Sequence, residues 1–221
     1  MVMKLYGMKN IFNVQRAIVP LFEAGTEKEL ELVHVNLFTH DNDKPNFLAK
    51  HPFGLIPYLE DGDVKIYESR AIARYIAEKY EGQGAPNMGR TLKERAAINQ
   101  WVETEAHVLY PPLAPMLKEL YVAGALNRPL DEELVASCTA ALVKVLDVYE
   151  AHLVKGSKYL TGDEYNFADA CHTPYLYQVK IMKAEVLRHH PYVWAYTDAI
   201  TERPGFQKLL QLDWDNAPSL E

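Results

Sequence analysis

The chain has 221 residues, enough for one or two domains with a sizeable hydrophobic core. Hydrophobic residues make up 48% of it, the usual share for a globular protein. Its net charge of −7 argues against a nucleic acid or an anionic membrane surface as a partner.

The cysteine content and the N-terminal sequence indicate the compartment. Cys138 and Cys171 are the only cysteines, and they have neither metal-ligand nor redox-pair spacing, so we expect no metal. So few cysteines fit a reducing compartment. No basic region followed by an apolar run opens the chain, and no apolar run approaches the length of a membrane span. We therefore expect a cytoplasmic protein without a membrane partner.

The first part of the chain alternates between strand and helix patterns. A short strand is predicted over residues 2–6, and helical spacing follows over 12–24. A second strand pattern covers 30–37, and a short helix is predicted over 44–50. A strand, helix and strand in so few residues form one βαβ unit, which requires the two strands to run parallel.

A loop at residues 51–57 has the sequence His-Pro-Phe-Gly-Leu-Ile-Pro and leads into another strand. Pro57 begins that strand after a turn, which makes the Ile56–Pro57 bond a candidate for the cis form. A cis bond there would leave the backbone N–H and C=O of Ile56 open to an extended ligand. The turn Asp61-Gly62-Asp63 then joins two strands that can pair antiparallel and complete a four-stranded sheet.

Glu68 and Ser69 open a predicted helix that extends to Lys79 and has apolar residues along one face. Ser69 combines a hydroxyl, a free backbone N–H and the positive end of a helix, which together suit a carboxylate. The simpler alternative is that Ser69 is an ordinary helix cap and Pro57 an ordinary loop proline.

A linker is predicted over residues 81–90, where glycines and a proline are concentrated. After it we find only helical patterns. A long helix over 92–110 is expected to be kinked or interrupted by the prolines at 111, 112 and 115. A strong apolar stripe covers 134–153, and further helices are predicted near 168–184 and 191–202.

The sequence Asn166-Phe-Ala-Asp169 predicts a capped helix start. An Asn cap with a carboxylate three residues later satisfies two backbone donors that the helix itself cannot satisfy. We therefore interpret Asp169 as a folding residue and not as a catalyst.

The run HPFGLIPYLEDGDVKIYESRAIARYI, residues 51–76, resembles the glutathione site of cytosolic glutathione transferases, most closely the phi class of plants and its fungal relatives. The resemblance extends over most of the chain. It implies an α/β thioredoxin-like N-terminal domain (1–80), the linker (81–90) and an all-α C-terminal domain (91–221) that contributes the hydrophobic substrate site. Asn166 and Asp169 resemble the capping motif of the family's second domain.

The family resemblance also implies an activity, namely detoxification by conjugation. The glutathione thiolate would attack a hydrophobic electrophilic small molecule, and reduction of organic peroxides would be a second reaction. Glutathione is then the co-substrate, no metal takes part, and the protein is expected to be a homodimer.

By this resemblance, Ser69 binds the γ-glutamyl carboxylate of glutathione and Glu68 is the polar partner at the same end. The cysteinyl part pairs with the Ile56 backbone, next to Pro57, as an added strand would. Leu55 stands where the family usually has Gln, so one side-chain contact is lost.

The glycyl carboxylate of glutathione needs a cation, and Lys44 is the nearest candidate, with His40 behind it. The family has a His-Lys pair one or two positions earlier, where this chain has Asn42 and Asp43. The alternative is that Lys44 is an ordinary solvated lysine.

Catalysis requires the thiolate, because the thiolate and not the thiol is the nucleophile. The phi class stabilises it with a serine near the start of the first helix, and Ile11 takes that place here. Asn13 is our first candidate for a replacement donor, with Asn10 and Tyr6 as alternatives. The backbone N–H groups of the helix N-terminus are a fourth source. If none of these acts, the chain is better interpreted as a non-catalytic carrier of hydrophobic small molecules.

The electrophile would be surrounded by apolar and aromatic side chains. The candidates come from the first helix and from the run around the prolines: Phe12, Tyr110, Pro111, Leu113, Met116 and Tyr121. Most of them could equally belong to the core. Phe53, a large apolar residue in a polar loop, is a candidate dimer contact by family analogy; alternatively it packs within its own subunit.

Overall fold

The structure is a computed structural model that describes residues 2–213 and 217–220. Its contacts divide the chain into two compact units, one of Met1–Met88 with Arg203–Glu221 and the other of Gly89–Glu202. The last part of the chain thus packs with the first, a return that local sequence patterns did not predict. The domain limits expected from the sequence stay predictions.

One four-stranded sheet forms the centre of the first unit, in the order β2-β1-β3-β4. The strands are β1 (Met3–Gly7), β2 (Leu30–His34), β3 (Tyr58–Asp61) and β4 (Val64–Tyr67). As predicted, β1 and β2 are parallel, whereas β3 pairs antiparallel with both β1 and β4. β2 ends earlier than predicted because short 3₁₀ turns begin at Leu37 and Asp41.

Three helices of the first unit connect or follow these strands: α1 (Phe12–Glu23), α2 (Pro45–Leu48) and α3 (Ser69–Lys79). Helices α1 and α3 pack against each other. Apolar side chains spaced one turn apart, among them Ile18 on α1 and Ile76 on α3, are fully buried and supply the core.

The second unit is all helical among the residues that the structure describes. Its helices are α4 (Leu92–Thr104), α5 (Tyr110–Ala125), α6 (Glu132–Leu153), α7 (Phe167–Met182), α8 (Ala184–Arg188) and α9 (Pro191–Thr201). A π-helical segment, Glu105–Leu109, joins α4 to α5. The interruption that we predicted therefore lies just before the prolines and not at them. Pro111 and Pro112 lie in the first turn of α5, where proline is tolerated, whereas Pro115 lies inside the helix.

The final helix, α10 (Pro204–Leu210), packs on α1 of the first unit. Arg203 Nη2 lies 2.6 Å from Glu23 Oε2, at the end of α1. A Cβ atom at Gly205 would come within 2.8 Å of the Glu23 backbone nitrogen, so this close approach requires glycine. An ion pair and a glycine contact thus hold the return of the chain.

The capping box predicted at the start of α7 is confirmed. Asn166 Oδ1 accepts a hydrogen bond from the Ala168 N–H at 3.0 Å, and Asp169 Oδ2 accepts one from the Asn166 N–H at 2.9 Å. Asp169 Oδ1 accepts two more, from the Leu160 N–H and the Tyr196 hydroxyl. This fully buried carboxylate therefore joins α7, the preceding loop and α9.

Candidate functional site

The register of the sheet brings the separate parts of the candidate site together. Tyr58 of β3 pairs with Tyr6 of β1 on one side and with Tyr67 of β4 on the other. Because both pairings are antiparallel, the residues before Tyr58 lie at the same end of the sheet as those after Tyr6 and Tyr67. The Ile56–Pro57 bond, the Glu68–Ser69 pair and the turn into α1 therefore share one end of the sheet.

The bond between Ile56 and Pro57 is cis, as predicted. Ladder pairing of β3 starts at Tyr58, so the Ile56 backbone lies outside the strand register. The side chains of Ile56 and Pro57 are buried, whereas that of Leu55 is 57% exposed. The loop thus presents backbone at Ile56 and an aliphatic surface at Leu55.

Glu68 occupies the N-cap position of α3 with φ 73° and ψ 111°. A residue other than glycine seldom adopts a positive φ, and such strain is concentrated at functional sites. Glu68 is exposed and makes no side-chain capping hydrogen bond. Ser69 is therefore the first helical residue and not the cap that the simpler alternative made it. The first turn of α3 keeps backbone N–H donors that no capping side chain satisfies.

Helix α1 also begins without a capping side chain. Ile11 is its N-cap residue, in an extended conformation, and has no polar group to offer. Asn10, one residue earlier, is exposed and has φ 63°. Ile11 therefore offers neither a capping side chain nor a side-chain donor in the place where the phi class is expected to have a serine.

Asn13, the first candidate for the thiolate donor, lies in the first turn of α1. Its Oδ1 accepts a hydrogen bond from Nη2 of Arg16, which is fully buried. This bond orients the amide, because Oδ1 faces the guanidinium and Nδ2 is the opposite end of the group. Sequence reasoning missed Arg16; the available signal was a cation within the apolar stripe of α1.

Tyr6, the second alternative donor, is engaged within the sheet. Its hydroxyl donates to Glu60 Oε2 at 3.0 Å, and Lys50 Nζ lies 2.8 Å from Glu60 Oε1. Burial, and then the hydrogen bond to Glu60, raise the pKa of Tyr6. The Tyr6 hydroxyl proton is therefore already engaged by Glu60.

The predicted cation for the glycyl carboxylate has a partner of its own. Lys44 Nζ lies 2.7 Å from Asp41 Oδ1, and this ammonium group lowers the pKa of Asp41. His40, behind it, places Nδ1 3.0 Å from Asp43 Oδ2. Asn42 Nδ2 donates to the Gly54 carbonyl at 2.9 Å, which ties this corner to the loop that carries Ile56.

The predicted electrophile-site residues differ in exposure. Leu113 and Met116 are fully buried, and the Thr139 hydroxyl donates to Met116 Sδ at 3.3 Å. These two side chains pack in the second unit and offer no surface in this structure. Tyr110 and Tyr121 are partly exposed, Pro111 is exposed, and Phe12 of the first unit is partly exposed.

Phe53, the predicted dimer contact, is 68% exposed. Its ring centroid lies 6.2 Å from that of His51 and 5.9 Å from that of Tyr67. The Phe53 ring therefore contacts His51 and Tyr67 of its own unit and leaves most of its area exposed to solvent.

Neither membrane-spanning helices nor metal clusters occur in residues 2–213 and 217–220. No helix there combines the length and the apolar character needed to cross a bilayer. Within the same ranges, no three His, Cys, Asp or Glu side chains are grouped so that they could hold a metal ion.

Two family models match this chain: the N-terminal domain of glutathione S-transferase over residues 1–78 and its C-terminal domain over 97–204. Glutathione S-transferase F9 of Arabidopsis thaliana is 40% identical over 210 residues, 94% of this chain and 96% of that protein. Glutathione S-transferase 3 of Zea mays is 42% identical over 208 residues, 93% of this chain and 92% of that protein.

Solved structures agree with these matches. Glutathione transferase F7 from Populus trichocarpa has a TM-score of 0.88 and 40% identity, covering 95% of this chain and 98% of that one. Glutathione S-transferase I from maize, in complex with an atrazine glutathione conjugate, has a TM-score of 0.84 and 35% identity, covering 96% and 97%. The predicted fold class, an α/β thioredoxin-like domain followed by an all-α domain, is confirmed. The chain belongs to the glutathione S-transferase family, and its relatives include the F-type, phi-class enzymes of plants.

Proposed function

We propose that this glutathione transferase binds glutathione at the end of its sheet and conjugates it, through its thiolate sulfur, to hydrophobic electrophilic small molecules. The observation that carries the proposal is the convergence of Ile56, Glu68 and Ser69 with the start of α1. Maize glutathione S-transferase I has been solved with a glutathione conjugate, and a conjugate is the product expected here.

Each end of glutathione finds a complementary group in this arrangement. The γ-glutamyl carboxylate would accept from the Ser69 hydroxyl and from the uncapped N–H groups of α3. Its ammonium group would pair with the exposed Glu68 carboxylate. The cysteinyl part would form strand-like hydrogen bonds with the Ile56 backbone. Lys44 would receive the glycyl carboxylate in competition with Asp41, so this end is held less firmly.

The thiolate would be stabilised by Asn13 Nδ2 and by the backbone N–H groups of the first turn of α1. A hydrogen bond worth roughly 2 kcal/mol more to the anion than to the thiol lowers the thiol pKa by about 1.5 units. The thiol proton leaves to solvent, the sulfur forms a bond to the electrophilic carbon, and the leaving group departs with its electron pair. The enzyme contributes positioning and charge stabilisation.

A non-catalytic carrier is the alternative, and the absence of a donor side chain at Ile11 is the observation that favours it. The curated relatives are named as transferases, and none of them supports a carrier. Reduction of organic peroxides is a second reaction open to the same thiolate. The sulfur would attack the peroxide oxygen, the O–O bond would break to release an alcohol, and the glutathione sulfenic acid so formed would react with a second glutathione to give the disulfide and water.

The assembly and the location are also proposals. A homodimer is supported by Phe53, which exposes most of a large apolar ring. A cytoplasmic location is supported by the small number of cysteines. Sedimentation of the purified chain at monomer mass would contradict the dimer.

The proposed function is tested by the rate at which glutathione is conjugated to a simple aromatic halide, with and without the protein. A pH of about 6.5 keeps the uncatalysed thiolate reaction slow. We expect a rate well above background. No rate above background in protein that still binds glutathione would identify a carrier.

Asn13→Ala tests the donor in the same assay. We expect it to lower kcat more than it weakens glutathione binding, because the amide acts on the thiolate. Asn99→Ala, an exposed helical asparagine in the second unit, is the matched control. Equal kcat in Asn13→Ala and the parent would remove Asn13 from the mechanism and leave the backbone of α1 as the donor.

A further inference from the structure

His51 is a buried imidazole at the start of the loop that carries Ile56. It is 1% exposed, and its ring is surrounded by aromatic rings from three parts of the first unit. The ring centroids lie 6.3 Å from Phe47 of α2, 6.2 Å from Phe53 of the loop and 4.7 Å from Tyr67 of β4. Since Tyr67 immediately precedes Glu68, the imidazole lies between the two stretches that would bind glutathione.

A backbone hydrogen bond sets the protonation state of this ring. The Phe53 N–H donates to His51 Nδ1 at 3.3 Å. A ring nitrogen accepts only when it carries no proton, so the imidazole is neutral and its proton is on Nε2. Burial lowers the pKa of His51 and thereby favours the same neutral form, whereas the Glu68 carboxylate raises it to a smaller extent.

Among the described residues, Glu68 is the charged group with an electrostatic influence on the pKa of His51. Of the elements packed against the ring, α2 contributes Phe47, the loop Phe53, and β4 the phenol of Tyr67. The carboxylate at the start of α3 is the one that acts on the ring electrostatically. The ammonium group of glutathione would pair with this same Glu68 carboxylate. Glutathione binding and protonation of His51 are therefore linked.

We propose that neutral His51 is a positioning residue for glutathione, which holds the loop Phe53–Pro57 against Tyr67 and Glu68 and releases it when protonated. The proposal rests on the proposed glutathione site. Protonation replaces the acceptor at Nδ1 with a donor that faces the Phe53 N–H, and this breaks one of the hydrogen bonds that hold the loop, beside that from Asn42 Nδ2 to the Gly54 carbonyl. It also places a cation beside Glu68 that competes with the ammonium group of glutathione.

Glutathione binding and protonation of His51 should oppose each other. Glutathione that pairs with Glu68 removes part of the charge that favours protonated His51, so bound glutathione lowers the pKa of the ring. By reciprocity, protonation weakens glutathione binding by the same factor. Affinity should therefore be full above the pKa of His51 in the free protein and should fall as the pH drops through it, below about 6.5.

The test is the Kd for glutathione of the full chain, measured by calorimetry between about pH 5 and pH 7.5, a range that includes the ordinary pKa of an imidazole. For the parent we expect Kd to rise about threefold to tenfold toward the acid end, the effect of one lost hydrogen bond. His51→Asn keeps an acceptor for the Phe53 N–H but cannot be protonated, so its Kd should match the parent near neutrality and change little with pH.

Two further variants separate positioning from simple packing. His51→Phe fills the space without an acceptor, and we expect weaker glutathione binding at every pH, with KM affected more than kcat. His107→Asn, at an exposed histidine of the second unit, should keep the parent's pH profile. An NMR titration of the His51 ring should show its pKa fall when glutathione is added.

Three results distinguish the proposed role of His51 from the proposed glutathione site. A parent profile that persists in His51→Asn, or a flat profile in the parent, would overturn the role of His51 and leave the glutathione site intact. No glutathione binding by the parent at neutral pH would overturn the proposed function and this inference with it. The expected profile, lost only in the His51 variants, supports both.

Discussion

Helices α1 and α3 of the first unit begin differently from α4 and α7 of the second. Thr91 and Asn166 cap α4 and α7, each in a complete capping box. Ile11 and Glu68 stand at the same position of α1 and α3, and neither makes a side-chain capping hydrogen bond. A capping side chain satisfies backbone donors of its own helix and stabilises the fold, whereas the N-terminus of a helix without one is a general site for anions.

The presence or absence of a capping side chain changes the stability of a helix. A good capping side chain stabilises a helix by about 1 kcal/mol, so two uncapped starts cost about that much each. Both of these helix starts lie at the end of the sheet where Ile56 is found, the end that is proposed to bind glutathione. Stability given up at such positions is typical of binding sites.

The largest expected effect comes from breaking a capped start. Asp169→Ala removes a buried carboxylate that accepts hydrogen bonds from the Asn166 N–H, the Leu160 N–H and the Tyr196 hydroxyl. Because three buried donors lose their acceptor, we expect a loss of about 3 kcal/mol or more in the free energy of unfolding. Urea unfolding followed by circular dichroism measures it.

The control for Asp169 is Asp163→Ala, which removes an exposed carboxylate in the same unit. We expect this variant to stay within about 0.5 kcal/mol of the parent. Similar unfolding midpoints for the two variants would show that the capping box contributes little to stability.

An intermediate effect is expected at an uncapped start. Ser69→Ala should weaken glutathione binding by about 1–2 kcal/mol through the loss of a charge-assisted hydrogen bond, with little change in stability. Calorimetric titration with glutathione measures it, and Ser137→Ala, at an exposed serine of α6, is the matched control. An unchanged affinity for glutathione in Ser69→Ala would contradict the assignment of Ser69 to the glutathione site.

The smallest effect is a pH dependence at the start of α6. Glu119 accepts from Arg128 and from the Asp131 N–H, and the Arg128 hydrogen bonds are the main cause that lowers its pKa to about 2. A lowered pKa stabilises the folded state above the unfolded value, about 4.3, and the contribution is lost as the pH falls toward 2. Glu119→Gln should therefore be less stable than the parent at neutral pH and should approach it in acid.

Urea midpoints at several pH values between about 2 and 6 measure this convergence, with Glu132→Gln at an exposed glutamate as control. Parallel curves for the parent and Glu119→Gln would contradict the assignment of the acid sensitivity to Glu119.

Sequence patterns predicted those features of the site that depend on neighbouring residues. The turn between β3 and β4, the cis bond before Pro57 and the helix that opens at Ser69 each follow from a few consecutive residues. The resemblance added the chemical meaning of these residues. Patterns did not predict that Glu68 would take the cap position with a positive φ, because a backbone angle follows from how the strand joins the helix.

Contacts between distant residues were beyond sequence reasoning. Arg203 reaches Glu23 across 180 positions, and Tyr6 reaches Glu60 across 54. Leu113 and Met116 have the same apolar character as residues that line a binding surface, and only packing against the other helices shows that they are buried. A pattern of residue types does not say which apolar face meets which neighbour.

The sequence by itself determined the fold class, the glutathione motif and the absence of the phi-class serine at Ile11, because each is a matter of residue type and order. The tertiary structure decided how the side chains near Ile11 and the Ile56 loop are partnered. It buried Arg16, whose guanidinium donates to Asn13, engaged Tyr6 with Glu60, and placed His51 between the rings of Phe53 and Tyr67. These outcomes depend on burial and on strand register, which arise only when segments far apart in the chain pack together.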